Sequence, residues 1–182
     1  MTHRLQIVNI DDGTECGVNE RGEIQLRSPT VMVGYFNRPY ETAQVKTEDG
    51  WLRTGDIGYV DDNGFIYVVD RVKELIKVSG FQVAPAELED ILLKHPAIRE
   101  AAVVGVPDEE GGEMPKAFIV TRDGTHISEQ EVNDYMKDKV SHYKYLRGGV
   151  SFLSELPKSP VGKVLRRSLR DENQARSCVT VK

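Results

Sequence analysis

The sequence predicts an α+β fold in two parts: a β-rich segment over residues 1–72, then a small α+β domain over residues 73–182 in which helices flank a mixed sheet. Three observations predict it. Up to Arg71, short alternating runs are separated by Asp-Gly and Asn-Gly turn signals. Beyond it, helix patterns with start and stop signals alternate with short apolar runs. The composition, 39% hydrophobic and 29% charged, is that of a soluble globular chain and not of a disordered one.

In the first part, Gln6-Ile7-Val8, Glu23-Ile24-Gln25-Leu26 and Ile57-Gly58-Tyr59-Val60 read as strands. A hairpin is expected where Asp61-Asp62-Asn63-Gly64 separates Tyr59-Val60 from Phe65-Ile66-Tyr67-Val68-Val69, because Asn-Gly accepts the positive φ angles of a type I′ turn. The junction falls on Asp70-Arg71-Val72-Lys73-Glu74. A helix then runs from Pro85 to His95: Pro85 suits a first helical position, acids fill the first turn, Lys94 and His95 the last, and Pro96 stops it. A second helix opens at Ser128, with Glu131 closing a capping box and Val132, Tyr135, Met136 and Val140 giving one apolar stripe. Residues 101–106, 117–120 and 150–153 read as buried strands.

Charge and cysteine usage remove several function classes. With 24 Lys and Arg against 29 Asp and Glu, the net charge of -5 offers no field that would attract nucleic acid or an anionic membrane. Cys16 and Cys178 lie far apart without CxxC spacing, so no zinc knuckle, redox pair or disulfide framework is expected, and a reducing, intracellular setting fits. His3, His95, His126 and His142 are scattered without paired ligand spacing. No apolar run approaches the roughly 20 residues of a membrane helix. The first residues carry no export signal and the last no peroxisomal tripeptide, which leads to the expectation of a cytoplasmic protein.

Three segments bear the chemistry. In Trp51-Leu52-Arg53-Thr54-Gly55-Asp56, a carboxylate beside a glycine can accept hydrogen bonds from vicinal hydroxyls; an Asx-type turn is the structural alternative. In Asp70 to Glu89, the cations Arg71, Lys73 and Lys77 precede the glycine turn at Ser79-Gly80, which suits an anion; a solvated basic edge strand is the alternative. In Leu156 to Arg167, Lys163 follows a Pro/Gly loop. It is not a phosphate-binding GxxxxGK[ST] loop, because Pro157 stands at the first glycine and Val164 at the hydroxyl position. Lys163 would instead reach an anion as a mobile point charge, or simply face solvent.

In this order and wording the three segments resemble the later motifs of the adenylate-forming superfamily, which includes acyl-CoA and aryl-CoA ligases, peptide adenylation domains and beetle luciferases. The resemblance starts at Gly22-Glu23-Ile24-Gln25-Leu26-Arg27 and Gly34-Tyr35-Phe36-Asn37-Arg38-Pro39 and covers nearly the whole chain, with Lys77 to Glu89 most similar to coumarate-type CoA ligases. It implies two reaction steps: a carboxylate attacks the ATP α-phosphate to give an acyl-adenylate, and a CoA thiol then displaces AMP. Residue by residue it implies that Asp56 holds the ribose hydroxyls, Arg71 assists at the nucleotide, Lys73 is the hinge of a mobile small domain and Gln82 lies close to AMP in the adenylating pose. Lys163 would be the catalytic lysine of adenylation, while Lys77, Ser79 and Gly80 would face nucleotide and CoA during thioester formation. Ser79 departs from the lysine common in coumarate-type ligases.

The resemblance also implies what is absent. No segment like Ser-Gly-Thr-Thr-Gly-x-Pro-Lys-Gly occurs, and residues 1–72 read as the remnant of a large amino-terminal domain that would bind the acid, ATP and the magnesium arriving with it. The chain alone is therefore expected to show no more than trace ligase activity, and its uncovered β-rich part to be open to self-association. A stand-alone nucleotide- or CoA-binding module without catalysis is the alternative.

Overall fold

The computed structural model describes residues 2–108 and 112–179, apart from the side chains of residues 172 and 174–179; the side chain of Cys178 and the carboxyl-terminal residues 180–182 thus lie outside the described residues. The chain divides into two compact units, Met1–Lys73 and Glu74–Lys182.

The first unit is a four-stranded antiparallel sheet in sequence order: β1 (Arg4–Val8), β2 (Gly22–Arg27), β3 (Leu52–Val60) and β4 (Ile66–Arg71). Ile7 pairs with Ile24 across β1 and β2, and both are buried along with Ile57 and Trp51. Between β2 and β3 lies a helix the sequence reading did not anticipate, α1 (Pro39–Val45). Pro39 stands in its first turn, but its seven residues bury no side chain, so no apolar stripe announced it.

The β3–β4 hairpin forms in the expected place, with Tyr59 opposite Tyr67 and Val60 opposite Ile66. Its turn is not type I′. Only Gly64, at φ 81°, takes a positive angle, while the Gly64 N–H donates to the Asp61 carbonyl at 3.0 Å and Asp61 N–H to the Phe65 carbonyl at 3.0 Å. That is a type I turn closed by a left-handed glycine. The cause is Asp61, whose carboxylate accepts the N–H groups of Asn63 and Phe65, each at 2.9 Å, and so holds Asn63 out of the left-handed region. These bonds, Phe65 N–H first, lower the Asp61 carboxyl below its ordinary range.

The second unit opens with a two-stranded hairpin, β5 (Ile76–Val78) and β6 (Phe81–Val83), followed by α2 (Pro85–Leu93), β7 (Ile98–Pro107), β8 (Glu113–Thr121), α3 (Glu129–Lys137), β9 (Val150–Phe152) and α4 (Arg166–Val179). The sheet order is β7-β8-β9, antiparallel and then parallel, which makes the sheet mixed.

Alternation along β7 and β8 gives this sheet two buried faces. Val103, Ala117 and Ile119 meet the β5–β6 hairpin (Ile76, Val78, Val83), α2 (Leu88, Leu92) and α3 (Val132, Met136). Ala102, Val104, Val106, Phe118 and Val120 meet Leu156, Val164 and Leu169 of α4. Being covered on both sides, the β7 strand reads as the continuous apolar run seen in the sequence. Among the described residues no helix is long and apolar enough to cross a membrane.

The α3 cap is present in full: the Ser128 hydroxyl accepts Glu131 N–H, and the Glu131 carboxylate accepts Ser128 N–H at 2.8 Å. Val140 lies beyond the helix end at Asp138, not on its stripe, yet still packs against the core. Ser128→Ala is expected to cost about 1 kcal/mol in urea denaturation at neutral pH. The Glu131 carboxyl is lowered, chiefly by the Ser128 side chain, so its share of the cap is present above the unfolded carboxylate range and is lost as pH falls through the lowered folded-state value. The gap between wild type and Ser128→Ala should therefore narrow in acid; a gap that widens there would contradict the capping box.

Candidate functional site

Thr54-Gly55-Asp56 lies inside β3, where the register with β2 slips: Gln25 faces Arg53 and Glu23 faces Ile57, so Ile24 alone stands opposite three residues. Such a bulge re-aims a side chain and accentuates twist. It is pinned by the Thr54 hydroxyl, which donates to the Ile24 carbonyl at 2.7 Å, and by Gly55 N–H on the Glu23 carboxylate at 3.2 Å. Thr54 also accepts Asp56 N–H at 3.1 Å, so this is a local hydroxyl-centred turn within a strand and not an Asx turn.

The bulge sets Asp56 directly across from Arg71 on β4, with Arg71 Nε 3.6 Å from Asp56 Oδ1. The two side chains are 40% and 69% exposed. A wet pair of this kind contributes little to stability and is readily given up to a ligand. Lys73 follows in a short 3-10 turn, Val72–Glu74. It lines a cleft of about 720 Å³ in the first unit together with Glu23, Gln25, Arg53, Thr54 and Gly55. Asp56 and Arg71 are not among the residues lining this cleft.

In the second unit, Lys77 and Gln82 face each other across the β5–β6 hairpin. Its two-residue tip is Ser79-Gly80, at φ 46° and 86°. Here, and not at Asn63-Gly64, is a turn of the type I′ kind, with both central residues left-handed. A Cβ on Gly80 would meet nothing within 4 Å, so the glycine serves the backbone angle and leaves the tip open to a close approach. Sequence reasoning missed two supports of this hairpin. The Glu113 carboxylate of β8 accepts Lys77 N–H at 3.1 Å, and Phe81 stacks on Tyr143 at 4.4 Å and 16°. Both partners come from distant parts of the chain, so no local pattern could have shown them.

Lys163 closes a second tight loop built like the one at Asp61. Ser159 N–H donates to the Lys163 carbonyl at 2.8 Å, Gly162 N–H to the Ser159 carbonyl at 2.9 Å, and Gly162 sits at φ 80°. The Ser159 hydroxyl accepts Lys163 N–H at 3.2 Å, as Asp61 accepts Phe65. Among the described residues the ammonium groups of Lys73, Lys77 and Lys163 have no ion-pair partner, whereas Lys144 holds Glu87 at 2.6 Å and Arg170 holds Glu74 at 3.1 Å.

The Gly80 hairpin and the Lys163 loop belong to opposite faces of the sheet. The first packs through Ile76, Val78 and Val83, the second through Leu156 and Val164. The structure therefore brings Lys77, Ser79, Gly80 and Gln82 together on one hairpin and keeps Lys163 away from them.

Residues 87–163 match the family model described as "AMP-binding enzyme C-terminal domain". The chain is 51% identical over 164 residues to 4-coumarate–CoA ligase-like 2 of Arabidopsis thaliana, an alignment covering 90% of this chain and 29% of that protein. Its fold superposes on ATP-bound MatB from Rhodopseudomonas palustris with a TM-score of 0.87 and 30% identity, covering 93% of this chain and 34% of the other. With o-succinylbenzoate CoA synthetase from Bacillus subtilis, in complex with its acyl-adenylate intermediate, the TM-score is 0.80 at 39% identity, again over 93% and 34%. The chain thus spans about a third or less of the length of the proteins it matches.

The tip geometry yields a stability test. Gly80→Ala should destabilise the chain by about 1–2 kcal/mol, since an alanine is forced left-handed with no compensating contact. Ser79→Asn should be neutral or slightly stabilising, because Asn tolerates that region. Chemical denaturation reads both, and a Gly80→Ala protein as stable as wild type would refute the left-handed tip.

Proposed function

The chain carries an AMP-binding enzyme C-terminal domain and belongs to the adenylate-forming superfamily, and from that premise we propose that it is the carboxyl-terminal portion of an ATP-dependent carboxylic acid–CoA ligase. In such a reaction a carboxylate oxygen attacks the α-phosphorus of ATP and pyrophosphate leaves; a CoA thiol then attacks the acyl carbon and AMP leaves. Residues 1–72 are the β-rich end of the large nucleotide-binding domain, and residues 73–182 are the mobile domain that turns about Lys73.

The observation that carries this reading is the separation of Lys163 from the Gly80 hairpin on the two faces of one sheet. Two steps on one bound intermediate need two environments. A rigid domain with an unpaired ammonium on one face and an open glycine tip on the other supplies both by rotating. In the adenylation pose Lys163 stands against charge developing on phosphate and carboxylate. In the second pose Gly80 leaves room for the CoA arm, Lys77 and Ser79 flank it, and Phe81 stacked on Tyr143 firms the hairpin. In the first unit Asp56 and Arg71 give up their solvent-exposed pairing to ribose hydroxyls and phosphate.

Magnesium enters as the ATP complex. This chain's own part is to bind and orient. The acid and the phosphates of ATP are held by a preceding domain, and the 182-residue chain alone releases no appreciable pyrophosphate. Ile66 and Val68 on the edge strand β4 are 50% and 66% exposed, which supports self-association of the chain when nothing covers them.

The test is made in a chain extended upstream to include the large domain. Lys163→Ala should slow acyl-adenylate formation by about 10²- to 10³-fold and leave thioester formation from supplied acyl-adenylate unchanged. Equal loss of both steps would overturn the assignment.

A further inference from the structure

Among the described residues Lys163 has no ion-pair partner, in a segment crowded with cations whose own partners differ. Lys158 Nζ lies 2.7 Å from Glu100 Oε2, a charge pair without the angles of a hydrogen bond. Arg166 Nη2 lies 2.9 and 2.8 Å from the two oxygens of Glu89. Arg167 Nε stands 4.0 Å from Asp171. Among the described residues Lys163 alone, of the cations from Lys158 to Arg167, has no carboxylate.

The two shorter pairs sit at the two stems of the Lys163 loop. Lys158 bridges Val164 across the loop base, and Leu165 N–H donates to the Pro157 carbonyl at 2.8 Å. Glu100 rises from β7 on the face that carries Leu156, its neighbour across the sheet being Val120 of that same cluster. Glu89 comes from α2, on the other face, and also accepts Val103 N–H at 2.8 Å on the open edge of β7. It therefore reaches round the edge strand to grip the first residue of α4. Arg166 and Glu89 are 24% and 16% exposed, well below Arg71 and Asp56 at 69% and 40%, while Lys158 and Glu100 at 42% and 27% are drier as a pair; less solvent leaves the attraction less screened.

We infer that Glu89 and Glu100 are positioning residues: their carboxylates clamp the two stems of the loop through Arg166 and Lys158, so that Lys163 projects from a fixed base as the segment's one unneutralised ammonium. Occupying Lys158 and Arg166 also keeps these two from competing with Lys163 for an anion, whereas Arg167, 94% exposed and at the 4.0 Å limit from Asp171, is only loosely held. The inference rests on the reading of Lys163 as the adenylation cation, but its test does not depend on activity.

Amide hydrogen exchange, followed by NMR in the 182-residue chain, reads the loop directly through Ser159, Gly162, Lys163 and Leu165. Glu89→Gln and Glu100→Gln should each speed exchange at these amides by about three- to tenfold, leaving the central β7–β8 amides unchanged. Glu100→Lys should do the same, and adding Lys158→Glu should restore exchange to within about twofold of wild type. Val132→Ala, in the opposite core cluster, is the control for general destabilisation and should leave the loop's exchange in place relative to the sheet. If Glu89→Gln fails to fold, the more exposed Glu100–Lys158 pair carries the test by itself. Loop exchange that does not respond to either glutamine variant, a charge reversal that does not rescue, or an equal response to Val132→Ala would overturn the clamp. Lys163→Ala should leave the protection intact; if it also spared adenylation in the extended chain, the functional reading would fail while the clamp stood.

Discussion

The β7–β8 ladder is the constraint on which the second unit depends. Its ten-residue and nine-residue strands pair antiparallel almost end to end, and their side chains alternate between two clusters with little exchange. Val103 and Ile119 look one way, Val104 and Phe118 the other. Because the period of a strand is two, a slip of one residue would send both sets to the wrong side, so the register is fixed by both cores at once. Whatever packs on one face is separated from whatever packs on the other by the thickness of the sheet. The Gly80 hairpin and the Lys163 loop inherit that separation, and the proposed alternation of one domain between two tasks rests on it.

The elements that hold these two loops differ in kind. Tip and loop are each set by local hydrogen bonding and left-handed glycines, which make them compact without filling them with side chains. Their attachment to the sheet is apolar and, at Glu89, Glu100 and Glu113, ionic or hydrogen-bonded. Lys77 on the hairpin and Lys163 on its loop are exposed and, among the described residues, have no carboxylate partner. In the first unit the bulge at Thr54-Gly55-Asp56 achieves a similar end by different means, turning a carboxylate out of a strand to face Arg71.

Much of this was legible in the sequence wherever the deciding interaction is local. Ser128 and Glu131 are three residues apart, and their capping box was read correctly; so was Pro85 as a helix start. The small α+β domain followed from helix patterns alternating with apolar runs. The turn at Asn63-Gly64 was misjudged because Asp61, two residues earlier, competes for the backbone N–H groups that a type I′ turn would have left free. The α1 helix went unseen because it buries nothing. For the candidate site, the residue types came from motif wording, but the clamps on the Lys163 loop could not: Glu89 and Arg166 are 77 residues apart, and only the folded sheet brings them together.

In the proposed reading the Lys163 loop serves adenylation and the Gly80 tip on the other face serves thioester formation. The measurement that tests it most directly is a pair of half-reaction rates in a chain extended upstream and carrying Gly80→Val, with pyrophosphate release followed in one and acyl-CoA formation from supplied acyl-adenylate in the other. Pyrophosphate release should stay close to wild type and acyl-CoA formation fall severely, since the branched side chain would fill the open space at the Gly80 tip and not the Lys163 loop. A variant that loses pyrophosphate release while keeping acyl-CoA formation would contradict it.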